Sequence, residues 1–168
     1  MTAPCFVDAN VLVYARDPRD PVKQRRAAEW LDWLWQQRAG RTSMQVLAEF
    51  YVVATRKLAP KVPEEVAWDE VMRYLAWTPI PTDEALLRGA REIERRYKLS
   101  WWDSMVVAAA QLQDCAILAT EDLQDGMFFG ALKVQNPFTS VLEEPVAEYL
   151  VKAAPLHRAR GRPRRLAA

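Results

Sequence analysis

Pro4-Cys5-Phe6-Val7-Asp8-Ala9-Asn10-Val11-Leu12-Val13 is the stretch that decides the fold. Its apolar residues run almost unbroken, without the alternation of a strand that shows one face to water. It therefore reads as a strand covered on both faces in a parallel sheet, passing into a turn or helix start. The strand is expected to end near Asp8. A carboxylate flanked by Phe6, Val7, Ala9, Val11 and Leu12 has nothing in its local sequence to satisfy it. Burying a lone carboxylate is costly, so something cationic is expected to collect it.

Outward from this strand, Asp20-Pro21 supplies an N-cap and an N1 proline. Residues 22–38 carry Ala27, Ala28, Leu31, Leu34 and Trp35 on one stripe, and Gly40 is expected to stop that helix. Thr42-Ser43 is a short strand or cap, and residues 44–58 read as a mostly buried helix ending near Pro60. Residues 63–77 and 83–98 are two further amphipathic helices, and Thr78-Pro79-Ile80-Pro81 between them has room only for a short strand. Ser100 caps a helix over residues 102–113, residues 115–120 form a compact buried strand, and 133–135 read as a last edge strand. Short buried strands alternating with longer helices predict an α/β fold with a mainly parallel sheet covered on both faces. In such sheets ligands bind beyond the carboxyl ends of the strands, where Asp8 and Asp122 fall.

With 168 residues, 51% of them hydrophobic, the chain is long enough for one domain with a substantial core. No uncharged stretch reaches the ~18 residues of a membrane span, and no base precedes Arg16, so a cytoplasmic protein without membrane contact is expected. Cys5 and Cys115 have no metal-type spacing and read as small buried apolar residues. The net charge of +1 hides a division. Residues 151–168 hold six bases and no acid, leaving 17 bases against 22 acids before them. The body is not a basic nucleic-acid binder by charge; the tail is a plausible arm for one.

Three more acids lie in apolar surroundings, each with a bland explanation. Glu49 has Val46, Val52 and Val53 about one helical turn away, so it is expected to face an apolar environment, with Arg56 as an available partner. Asp103 is followed by Val106, Val107 and Ala110, yet Ser100-Trp101-Trp102-Asp103 is also a capping-box pattern. Asp122 follows a strand, where aspartate is a common turn residue. If all four acids converge, each pair at about 5 Å costs roughly 3 kcal/mol at an effective dielectric near 20. Such a cluster protonates or splays without a cation. Oxygen ligands without His or Cys select hard ions, and one or two Mg2+ or Mn2+ suit a site that receives phosphate oxygens. The only histidine, His157, lies in the basic tail, which removes histidine-based catalysis from the body, and no phosphate-binding glycine loop is present. Metal-assisted phosphodiester hydrolysis is the chemistry that remains.

Phe6-Val7-Asp8-Ala9-Asn10-Val11-Leu12, Ser43-Met44-Gln45-Val46-Leu47-Ala48-Glu49-Phe50, Trp102-Asp103-Ser104 with Ala108-Ala109-Ala110, Thr120-Glu121-Asp122-Leu123 with Gly126, and Asn136-Pro137-Phe138 together resemble the PIN domain, in the form found in VapC-type toxins. The resemblance spans Cys5 to Phe138 in the family's order. It implies a three-layer α/β/α sandwich with a central, mainly parallel sheet over residues 1–138. It also implies Mg2+- or Mn2+-dependent cleavage of RNA, a homodimer, and inhibition by an antitoxin protein. On this resemblance Asp8, Glu49, Asp103 and Asp122 are the catalytic and metal-holding residues. Asn10, Ser43 and Thr120 support them, with Glu121 alongside, and Thr120 orients a water.

Residues 139–168 form an extension on which the resemblance is silent. Within it Arg160-Gly161-Arg162-Pro163 resembles an AT-hook core, and Arg160, Arg162, Arg164 and Arg165, together with Arg56, are the candidate nucleic-acid contacts, DNA included. A solubilising tail explains the same arginines. Trp30 and Trp33 flank the first helix's stripe and are expected on a dimer or antitoxin surface. Two alternatives to a nuclease stay open. One is a catalytically idle PIN-like module that binds antitoxin, RNA or operator DNA. The other is a phosphatase built on Asp8-x-Asn10, for which Lys98 and Lys133 give no convincing lysine.

Overall fold

The structure is a computed structural model that describes residues 2–139. Apart from Thr139, the extension lies outside the described residues, its arginines at 160, 162, 164 and 165 included.

The opening stretch divides as its composition requires. Cys5–Val7 form β1, all three residues buried, and Ala9–Tyr14 form the short helix α1. Asp20 caps α2 (Pro21–Gln37) by accepting a hydrogen bond from the Lys23 N–H, with Pro21 at the first helical position. The stop differs from expectation. Arg38, at φ 53°, takes the left-handed turn, and Gly40 begins β2 (Gly40–Arg41). Gly40 is demanded by packing: a Cβ there would overlap the indole of Trp77. Ser43 caps α3 (Met44–Arg56). Helix α4 (Glu64–Tyr74) runs into a 3-10 turn at Leu75–Trp77, and Ile80 makes only a single parallel bridge to Ser43. Asp83 and Ser100 cap α5 (Glu84–Tyr97) and α6 (Trp101–Leu112).

Three strands follow: β3 (Ile117–Ala119), β4 (Phe128–Phe129) and β5 (Leu132–Gln135). The sheet order is β2-β1-β3-β5-β4, parallel except for β4. The expectation that 133–135 form an edge strand is corrected here, since β4 covers β5 through a tight turn in which Gly130 holds φ 63°. A two-residue strand leaves too little pattern to read. β1 and β3 are buried along their whole length, which requires cover on both faces and makes the fold an α/β sandwich. From β1 the chain runs to β2 on one side and then crosses to β3 on the other. The sheet therefore switches direction between β1 and β3, where open α/β sheets place their ligand crevices.

Two surface expectations change. Trp30 is 1% exposed and belongs to the core, and Trp33 is partly buried against it. The exposed tryptophans are Trp68 and Trp102, at 50% and 64%. Both cysteines are free and buried. No helix of the described residues is long and apolar enough to cross a membrane.

Candidate metal centre in the cleft beyond the strands

Asp8 leaves the carboxyl end of β1, and Thr120 the end of β3 beside it. Asp8 Oδ1 accepts a hydrogen bond from the Ala9 N–H at 2.7 Å, capping α1. Thus the carboxylate does have a local role, which the apolar flanks conceal. Its Oδ2 accepts from the Thr120 hydroxyl at 2.9 Å. Asn10 Nδ2 lies 3.0 Å from Thr120 Oγ1, 3.1 Å from Asp122 Oδ2 and 3.4 Å from Asp8 Oδ2, so one amide ties the two strand ends together. Asp8 is 7% exposed. Burial pushes its carboxyl up from 3.8 to about 7, against the hydrogen bonds from Thr120 and Ala9, and the charges of Asp122 and Glu49 add to the rise.

The other acids are less buried than their sequence surroundings imply. Glu49 and Asp122 are exposed and Asp103 is half-buried. The apolar neighbours of Glu49 do not enclose it because they form the wall of an open cleft; Val52 is itself 38% exposed. Loss of water still raises the Glu49 carboxyl, followed by the charge of Asp122, while Lys57 acts in the opposite direction. The nearby cation is therefore Lys57. Arg56 is exposed and does not line the cleft.

One cleft of about 820 Å³ is lined by Asp8, Asn10, Glu49, Asp103 and Asp122. Among the described residues no three acids are drawn together into a ready-made set of ligands. They face one another across shared space, the arrangement that mutual repulsion favours without a cation. The chemistry of this set fits a hard divalent ion. All its donors are oxygens, one carboxyl is buried at an unfavourable charge, and Asn10 Oδ1 is buried without a partner among the described residues.

Asp103 also performs its capping role. The Ser100 hydroxyl accepts from the Asp103 N–H at 3.1 Å and donates to Asp103 Oδ2 at 2.8 Å, leaving the other carboxylate oxygen outside that pair. Capping and cleft lining thus coexist in one side chain. Ser100→Ala removes both contacts and is expected to cost about 1 kcal/mol. Urea denaturation checks this, and an unchanged midpoint would contradict it.

Ser43 and Glu121 stand apart from the cleft lining. Ser43 is spent on the α3 cap, and Glu121 pairs with Lys23 at 2.7 Å. Lys23 also reaches the Tyr14 hydroxyl at 3.2 Å and lies over the rings of Tyr14 and Phe138. The sequence reading missed Arg19 and Lys57, which line the cleft, and Asp17, which grips Arg19 through two hydrogen bonds of 2.8 Å. The only signal was an acid and a base two apart in a proline-flanked loop, a spacing no helix or strand rule picks out.

The fold is similar to the crystal structure of VapC20 from Mycobacterium tuberculosis, described as a sarcin-ricin loop cleaving toxin. The TM-score is 0.51 at 17% identity, over 68% of this chain and 86% of that one. No curated protein matches the sequence significantly. Residues 5–124 match the PIN domain family, a span that runs from β1 past Asp122 and takes in all four acids. The chain belongs to the PIN domain family.

Proposed function

We propose that the protein is a Mg2+- or Mn2+-dependent endoribonuclease, the toxin of a type II toxin–antitoxin pair. The observation that carries this reading is the buried Asp8 carboxylate at the sheet's switch point, opening onto a cleft shared with Glu49, Asp103 and Asp122. Family membership supports nuclease chemistry, and the sarcin-ricin activity printed for VapC20 supports RNA as the substrate class. A cytoplasmic homodimer held in check by an antitoxin protein completes the proposal. So does a domain boundary near residue 138, with the basic extension as an additional nucleic-acid arm.

The four carboxylates would hold one or two ions. When bound, such an ion supplies a polarised water and neutralises charge on the phosphate. The chain's own residues do the rest. Asn10 and Thr120 fix the orientation of Asp8 and Asp122 through their hydrogen bonds. Lys57 offsets part of the acids' repulsion of an incoming polyanion, whereas the Arg19 charge is matched by Asp17. Thr120 is buried and outside the cleft lining, and its hydroxyl is already engaged with Asp8, Asn10 and the Asp122 N–H, so it serves to position the acids rather than a water.

The test compares wild type with Asp103→Asn on single-stranded and structured RNA in Mg2+, Mn2+ and EDTA. EDTA is expected to abolish cleavage, and the variant to lose at least about 100-fold, a scale typical for loss of a group that aligns a metal site. Cleavage that persists in EDTA would sink the metal reading. RNA binding with no turnover in either metal is the result expected of an idle binding module.

A further inference from the structure

Trp102 is the outlier among the seven tryptophans. Trp30 and Trp77 are buried, Trp35 packs against Tyr74 and Trp77, Trp68 lies edge-on to Tyr51, and Trp33 and Trp101 rest on the core. Trp102 alone combines 64% exposure with a place in the lining of the acidic cleft, and among the described residues no other ring lies against it.

Its backbone is well anchored. Trp102 is the second residue of α6, between the core-packed Trp101 and Asp103, whose amide and carboxylate are both tied to the Ser100 cap. The indole therefore stands on a rigid helix start directly beside one of the four acids. An aromatic with few rotatable bonds loses little entropy on contact, and every nucleobase offers it a flat face. The polar cleft groups are suited to phosphates: oxygen donors for a cation, and the charge of Lys57, with Arg19 already held by Asp17. Tyr14 also lines the cleft, but its ring is packed edge-on against Phe138 with the Lys23 ammonium over it, so among the described residues Trp102 is the lining ring left uncovered for a base.

We propose that Trp102 is a stacking platform for one unpaired base next to the scissile phosphate, so that the cleft takes single-stranded or extruded nucleotides over paired ones. This rests on the ribonuclease reading.

The test is the affinity of the full chain in EDTA for a fluorescently labelled single-stranded RNA, read by anisotropy. Trp102→Ala is expected to weaken binding by about 10- to 100-fold, the range that a base–aromatic stack commonly carries. Trp102→Phe should stay within about 3-fold of wild type, because it keeps a stacking face. An abasic nucleotide moved along the RNA should erase the difference between wild type and Trp102→Ala at a single position. Trp102→Ala binding within about 2-fold of wild type, or losses that simply add to those of every abasic position, overturns the proposal. So does a change of mass in sedimentation with RNA affinity unaltered, which would make Trp102 a contact between copies. Metal-free affinity is measured apart from turnover, so a failure of the nuclease reading shows as uncleaved RNA in Mg2+ and Mn2+ and is told apart from a failure here.

Discussion

Asp8→Asn is expected to destroy cleavage and, at pH 8 without metal, to make the protein more stable by up to about 4 kcal/mol. The gain follows from the rise of the Asp8 carboxyl from 3.8 to about 7, at about 1.4 kcal/mol per unit. Below pH 3.8 both folded and unfolded chains carry the proton, and the residue has no effect. Between 3.8 and 7 the unfolded chain releases it while the fold retains it, so wild-type stability declines as pH rises. Above 7 both states are ionised and the full penalty stands. Asparagine has no such titration and its Oδ1 can still accept from the Ala9 N–H, while its amide nitrogen cannot accept from the Thr120 hydroxyl, a pH-independent loss that sets about 4 kcal/mol as the upper figure. The stability difference should therefore be smallest at pH 4, grow towards pH 7 and level off. Urea denaturation in EDTA at pH 4 and pH 8 measures it, and an equal difference at both values would refute this origin. A saturating divalent ion should narrow the gap at pH 8, since binding by the folded wild type adds stability.

Gly40→Ala is expected to cost at least about 3 kcal/mol, the upper end of what an added methyl does in a packed core. The new Cβ would meet the Trp77 indole. That ring cannot easily yield. It lies 4.9 Å from Trp35 and 4.9 Å from Tyr74, and those two rings are 5.5 Å apart, with Arg73 over both. Nor can the backbone, because Gly40 is in register with Cys5 of β1. Combining Gly40→Ala with Trp77→Leu should destabilise less than the two single losses together. A denaturation midpoint for Gly40→Ala within about 0.5 kcal/mol of wild type would show that the rings give way.

The elements set by local chemistry were legible. The unbroken apolar run at 5–7, the caps at Asp20, Ser43 and Ser100, and the proline at the start of α2 all do what short-range physics asks of them. What depends on distant neighbours was not. The stop of α2 fell to Arg38 because Gly40 answers to Trp77, thirty-seven residues on. Helical spacing placed Glu49 among valines, but only the tertiary arrangement shows that they border open space. Trp30 was expected at a surface and is core, while Trp102 is the most exposed of the large apolar residues among those described. Asp8 alone was readable as unusual from its flanks, and it is the acid that is both buried and displaced in its titration.

The hydrogen bonds from Thr120 to Asp8 and from Asn10 to Asp122 each span 112 residues of chain. A ribosome adding about 5–20 residues per second needs roughly 6–22 s to make that span. During this interval the nascent chain holds Asp8, then Glu49 and Asp103, but lacks Thr120 and Asp122, whose hydrogen bonds tie the two strand ends together. A chain that stops before β3 therefore lacks Asp122 and the Thr120 hydroxyl that orients Asp8, and the cleft is whole only once both have been made.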